Sequence, residues 1–199
     1  MKMLLLGGFL GSGKTAVLNR VIRAISQVGG TSAVIENEIG QLGVDDALVR
    51  ETGIRVTPLF GGCVCCEISG DLVQAVGQIA DEVNPDWLVV EMTGLALMTD
   101  VLSVLSRYGR PDIPVHPVSV VDASRFGMLS GVMAPVLERQ LRGAELVLVN
   151  KADVVQPTRE QLALIAGWAP GARIRTVSAE KTEDTVLWQT ILEGVGEAQ

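Results

Sequence analysis

Short apolar runs rich in β-branched residues alternate along the chain with longer segments whose apolar positions recur every three or four residues. The first pattern is that of buried strands and the second that of amphipathic helices, so their alternation predicts βα units around a parallel sheet. The expected strands are Met3–Gly7, Ser32–Glu36, Val56–Phe60, Trp87–Glu91, Val115–Val121, Leu146–Val149 and Arg173–Val177. The expected helices are Lys14–Val28, Gly70–Val83, Leu95–Tyr108, Val132–Leu141, Thr158–Ala166 and Val186–Leu192. Seven strands fit one sheet. The predicted fold class is therefore α/β in three layers, a mostly parallel sheet of about seven strands with helices on both faces and right-handed crossovers. With no repeat, low-complexity tract or Pro/Ser-rich linker, residues 1–193 read as one domain and Gly194–Gln199 as a frayed tail.

Charge narrows the partners. Of 199 residues, 16 are basic and 23 acidic, giving a net charge of −7 without any basic block. That excludes an electrostatic footprint for nucleic acid or an anionic membrane surface, while leaving room for a local phosphate site. The longest uncharged stretches, such as Ala24–Ile35, fall short of the ~18 apolar residues of a membrane span. Met1–Phe9 carries one charge, Lys2, and runs into Gly8–Thr15 rather than a cleavage site, so no signal peptide is read and a cytoplasmic location is expected. The three cysteines all fall between Cys63 and Cys66, too crowded for a disulfide framework, which points to ligands or reactive thiols.

The segment Gly8-Phe-Leu-Gly-Ser-Gly13-Lys14-Thr15 fits the phosphate-binding P-loop and lies between an apolar strand and a helical segment, the context that motif requires. Glycines let the backbone N–H groups converge on phosphate oxygens at a helix N-terminus. Lys14 is placed to reach the β- and γ-phosphates and the Thr15 hydroxyl to ligate Mg²⁺. After the buried strand Leu146–Val149 comes Asn150-Lys151-Ala152-Asp153, which looks like a guanine-specificity tetrad. A carboxylate at Asp153 accepts from both N1–H and the 2-amino group of guanine, Asn150 addresses the O6/N7 edge, and the Lys151 stem covers the ring. Adenine would leave that carboxylate unpaired, so GTP is the expected nucleotide. Ser178-Ala179, after the last strand, resembles the short loop that completes such a pocket.

Trp87-Leu-Val-Val-Glu91 ends a buried strand in an acid, at the end where open α/β sheets bind ligands. Glu91 is the candidate for holding Mg²⁺ directly or through water, with Gly94 as a pivot towards a γ-phosphate. The acidic loop from Glu36 to Asp46 is suited to ordering around metal and γ-phosphate, and Asp45 is its best candidate for Mg²⁺ or the attacking water. Gly61-Gly62-Cys63-Val64-Cys65-Cys66 is a soft donor set suited to Zn²⁺, Cu⁺ or Co²⁺. Extended backbone would send Cys66 to the face opposite Cys63 and Cys65, so three ligands require a turn. A fourth ligand must come from elsewhere: Glu36, Glu38, a second subunit, substrate or water. The alternative is that these thiols are small buried hydrophobes or a redox pair. His116, in Pro114-Val-His-Pro117, reads as structural.

Taken together, Gly8–Thr15, Ile35–Gly40 with Asp45, Gly61–Cys66, Val90–Gly94, Val120-Val-Asp122 and Asn150–Asp153 resemble, in this order, the CobW/HypB/UreG class of GTPases, with the thiol motif closest to its CobW-like branch. The resemblance runs from about Met1 to Ala179. It implies a P-loop NTPase fold and a slow Mg²⁺-dependent GTP hydrolase that inserts or traffics metal, or services a client metalloenzyme or corrinoid protein. It carries over Gly11, Ser12, Gly13, Lys14, Thr15, Ala16, Asn150, Lys151, Asp153, Ser178 and Ala179 as nucleotide contacts. Lys14 and Glu91 carry over with them, and with the loop acid Asp45 form the candidate catalytic set, Thr15, Asp45 and Glu91 being placed around Mg²⁺; Cys63, Cys65, Cys66 and Glu36 carry over as a Zn²⁺ or Co²⁺ site. A GTP-dependent homodimer is implied as well. Two departures, the lack of a following His-rich domain and Gln41 at a position often acidic in relatives, point to a minimal GTPase serving one client rather than a bulk carrier. A nucleotide-gated interaction module without metal, and an ATP-using kinase that the tetrad disfavours, are the alternatives.

Overall fold

The structure, a computed structural model, describes residues 1–36, 55–58 and 67–197. In chain order the elements are β1 (Lys2–Gly7), α1 (Lys14–Gln27), β2 (Ser32–Glu36), β3 (Arg55–Pro58), α2 (Glu67–Glu82), β4 (Trp87–Glu91), α3 (Met98–Tyr108) and β5 (Val115–Asp122). There follow α4 (Ala123–Val132), α5 (Ala134–Leu141), β6 (Leu146–Asn150), α6 (Arg159–Trp168), β7 (Arg173–Thr176) and α7 (Asp184–Val195). The strands form a seven-stranded sheet in the order β3-β2-β4-β1-β5-β6-β7, and every described pairing is parallel.

Alternation along each strand divides the core. Leu4 and Leu6 of β1 face the layer of α1 and α7 with Leu146 and Leu148 of β6. Met3 and Leu5 face the opposite layer under α2 and α3. On that same second side, Val147 and Val149 pack with Phe126 and Leu129 of α4 and Ile165 of α6. Strands covered on both faces are apolar throughout, which is why their positions are legible in the sequence. Register then lines up the carboxyl ends: Leu6 lies opposite Glu91, Glu36 opposite Glu91, Gly7 opposite Ser119 and Asp122 opposite Asn150.

Three expectations need correction. The segment 123–132, left without a helix, forms α4, and the expected helix Val132–Leu141 is only α5; Met133, at φ −132°, breaks between them. Leu95 lies outside α3, because residues 93–96 form a turn in which the Ala96 N–H donates to the Thr93 carbonyl at 3.1 Å. Residues 194–197, expected to fray, are tied down. Glu197 pairs with Lys2 and lies 3.2 Å from His116 Nε2. His116 itself is buried against Trp87 and Glu145, in keeping with a structural role.

Candidate nucleotide site

Between β1 and α1 the backbone turns through left-handed conformations at Gly11 (φ 72°) and Gly13 (φ 96°). Gly13 is the N-cap of α1 and leaves the first helical N–H groups without a side-chain cap, a local arrangement that favours an anion. Side chains are excluded here: a Cβ at Gly13 would lie 2.3 Å from Asn150 Nδ2, and one at Gly8 2.2 Å from the Val120 carbonyl oxygen. Lys14 is buried at the start of the helix.

The outer side of the loop is held by side chains from the first turn of α4 and from the end of β6 with the residue after it. Arg125 Nη1 donates to the Leu10 carbonyl at 3.2 Å, Lys151 Nζ to the Gly11 carbonyl at 2.7 Å, and Asn150 Nδ2 to the Ser12 carbonyl at 3.0 Å. Lys151 sits at φ 64° and also donates to Asp122 Oδ2 at 2.7 Å. Burial alone would raise the Asp122 carboxyl. The Lys151 ammonium and the Ser124 hydroxyl and amide outweigh that effect and hold it below its ordinary value. Asn150 accepts from the Ala179 N–H at 2.8 Å through Oδ1. Both of its polar side-chain atoms thus meet backbone here, and the residue bridges the phosphate loop to the 178–179 loop.

On the other side of the loop, Thr15 Oγ1 donates to Glu91 Oε1 at 2.8 Å. A hydroxyl beside a carboxylate at the end of β4 is a hard oxygen donor set that fits Mg²⁺. Glu36 stands next to Glu91 in register at the end of β2. Gly94 approaches the loop so closely that a Cβ would lie 2.4 Å from Leu10 Cδ2. Its carbonyl accepts from the buried Gln140 Nε2 at 2.8 Å. Asp45, Cys63, Cys65 and Cys66 lie outside the described residues. Among the described residues no group of three His, Cys, Asp or Glu side chains is placed to hold a metal.

After β6, Asp153 is exposed, while Ser178 and Ala179 after β7 are buried. The loop after β7 is braced from α1, where Arg20 donates to the carbonyls of Glu180 (2.7 Å) and Thr182 (2.8 Å) and to Asp184 (2.9 Å). Sequence reasoning gave no role to Arg20, Asp122, Arg125 or Gln140. Only Asp122 carried a readable signal: an acid at the end of a strand, two residues before a serine whose N–H it caps at 2.9 Å.

The fold and loop are those of a P-loop nucleotide-binding domain. Residues 2–173 match the CobW/HypB/UreG nucleotide-binding domain, and the chain belongs to that family. It is 31% identical over 181 residues to the zinc chaperone YjiA of Escherichia coli strain K12, covering 83% of this chain and 55% of that protein. To the zinc chaperone CobW of Pseudomonas aeruginosa it is 29% identical over 213 residues, covering 88% of this chain and 56% of that protein. The chain thus spans about half the length of these curated relatives. The solved structure of the hydrogenase maturation factor HypB from Archaeoglobus fulgidus matches with a TM-score of 0.72 at 20% identity, over 98% of this chain and 90% of that one, a likeness of fold. A Zn(II)-bound triple mutant of the YjiA GTPase matches with a TM-score of 0.62 at 23% identity, over 92% of this chain and 58% of that one.

Proposed function

We propose that the chain is a Mg²⁺-dependent GTP hydrolase whose nucleotide state is coupled to the handling of zinc, held as cargo by Cys63, Cys65, Cys66 and Glu36, on behalf of a client metalloenzyme. The observation that carries the nucleotide part is the joint between loop and tetrad. Lys151 and Asn150 of Asn150–Asp153 donate to consecutive P-loop carbonyls, and the Thr15 and Glu91 oxygens meet across the same loop. Relatives named zinc chaperones support zinc as the cargo.

The chemistry asked of the chain is positioning and charge stabilisation. The loop amides and the Lys14 ammonium face the charge that spreads over the transferring γ-phosphoryl oxygens. Thr15 and Glu91 would hold Mg²⁺, which would neutralise part of the charge on the phosphates. The Asp153 carboxylate selects the base, and Asp45 orients the attacking water. Hydrolysis by one chain alone is slow. The exposed Leu10 and Leu95, flanking the contact of Gly94 with the loop, support a homodimer formed in the GTP state.

The test is GTP turnover with Mg²⁺, followed by titration of GTP in the presence and absence of one equivalent of Zn²⁺. If the sites are linked, zinc changes GTP affinity by the same factor as GTP changes zinc affinity. Identical GTP affinities would remove the coupling and leave the GTPase; absence of turnover with and without client would remove the enzyme. Replacing the three cysteines by serine separates a metal carrier, which loses its effect on the client, from a nucleotide-gated module, which keeps it.

A further inference from the structure

Three consecutive carbonyls of the phosphate loop each accept a hydrogen bond from outside. Two of the donors, Lys151 and Asn150, belong to the base-binding tetrad. The third, Arg125, comes from a different element, the first turn of α4, and reaches the Leu10 carbonyl. Its guanidinium packs so close to the loop that a Cβ on Gly11 would lie 2.9 Å from Nη1. An arginine in a helix's first turn faces the positive end of the dipole, and the acid at that end, the N-cap Asp122, pairs with Lys151 rather than with Arg125. Among the described residues Arg125 also has no carboxylate in ion-pair range. The local rule is broken without a local gain, which marks a residue kept for something beyond its own helix.

A trans peptide is planar, so the carbonyl of one residue and the N–H of the next point in opposite directions. Holding the Leu10 carbonyl outward aims the Gly11 N–H inward. Holding the Ser12 carbonyl outward does the same for Gly13. The peptide between them is committed otherwise, since the Ser12 N–H closes a turn on the Phe9 carbonyl at 3.1 Å. Arg125 is thus the donor that controls the Gly11 amide.

We propose that Arg125 is a positioning residue for the phosphate loop: by clamping the Leu10 carbonyl it presets the Gly11 N–H for a nucleotide's phosphates, independently of base recognition. The inference rests on the GTP reading and assigns it a specific source of phosphate affinity. It is tested by measuring GDP·Mg²⁺ and guanosine affinities for wild type, Arg125→Ala and Arg125→Lys. The expected result is a loss of about tenfold for GDP in Arg125→Ala, the effect of one charge-assisted hydrogen bond, with guanosine unchanged within about twofold. Arg125→Lys, which keeps a donor and the charge, is expected to restore most of the loss. GDP affinity unchanged in Arg125→Ala, guanosine weakened in parallel with GDP, or no rescue by lysine overturns the clamp. Should Arg125→Ala fail to fold, Arg125→Gln carries the same comparison. A wild-type chain that binds neither ligand instead overturns the GTP reading, and the clamp with it.

Discussion

Thr15 Oγ1 lies 2.8 Å from Glu91 Oε1, joining the first turn of α1 to the end of β4 across the phosphate loop. One hydroxyl–carboxylate contact contributes about 1 kcal/mol to stability, a shift of roughly 2–4 °C in a chain of this size. Its loss from a site that stabilises charge in the transition state costs on the order of 10²-fold or more in rate. Thr15→Ala and Glu91→Gln are therefore expected to melt within a few degrees of wild type while GTP turnover falls by that factor and GDP binding loses its Mg²⁺ dependence. Turnover within threefold of wild type in both variants would place the metal elsewhere.

Asp153 is exposed, and in the proposed function its carboxylate accepts from two donors on guanine. Asparagine there replaces one acceptor by a donor. A bidentate contact of this kind discriminates by about 1–3 kcal/mol, or roughly 5- to 150-fold. Asp153→Asn should lose that much GTP affinity and gain affinity for xanthosine triphosphate, whose 2-carbonyl accepts where guanine donates. Competition binding with both nucleotides measures it, and an unchanged preference would remove Asp153 from the base pocket.

The contrast between Gly13 and Arg125 shows what the sequence could carry. Gly13, Lys14 and Thr15 are legible because a phosphate loop needs those residue types in a fixed local order, and the central strands because burial on both faces makes them uniformly apolar. Helix α4 was not legible. Glycines at 127 and 131 and a narrow stripe of Ala123, Phe126 and Leu129 give little helical periodicity. Missing α4 hides Arg125, whose partner Leu10 is remote in sequence. Asn150 shows the opposite failure: its motif was readable, but its hydrogen bonds to Ser12 and Ala179 depend on loops that only the fold brings together.

The Asp122 carboxyl is held below its ordinary value, so its stabilising effect is present above the unfolded-state pKa of about 3.9 and is lost as pH falls through the lower folded-state value. Asp122→Asn keeps a good helix N-cap but gives up the charge that pairs with Lys151. The variant is expected to be about 1–2 kcal/mol less stable than wild type at pH 7. The gap should narrow from about pH 5 downward, because protonated Asp122 also lacks the charge. Urea unfolding at pH 7, 5, 4 and 3 follows it. A gap that stays constant over that range would mean that the ion pair contributes nothing and the difference is steric.

Gly13 and Gly29 both hold φ values in the left-handed region, 96° and 78°, but their surroundings differ. A Cβ at Gly29 meets nothing within 4 Å, whereas one at Gly13 would lie 2.3 Å from Asn150 Nδ2. Alanine at Gly29 therefore carries only the backbone term of about 1–2 kcal/mol. Alanine at Gly13 adds the displacement of Asn150, which frees the Ser12 carbonyl and the Ala179 N–H, two buried groups whose lost hydrogen bonds cost about 1–3 kcal/mol each. Gly13→Ala should thus melt several degrees below Gly29→Ala and lose GDP affinity, while Gly29→Ala keeps wild-type affinity. Equal melting temperatures and equal GDP binding in the two variants would show that Asn150 does not brace the loop.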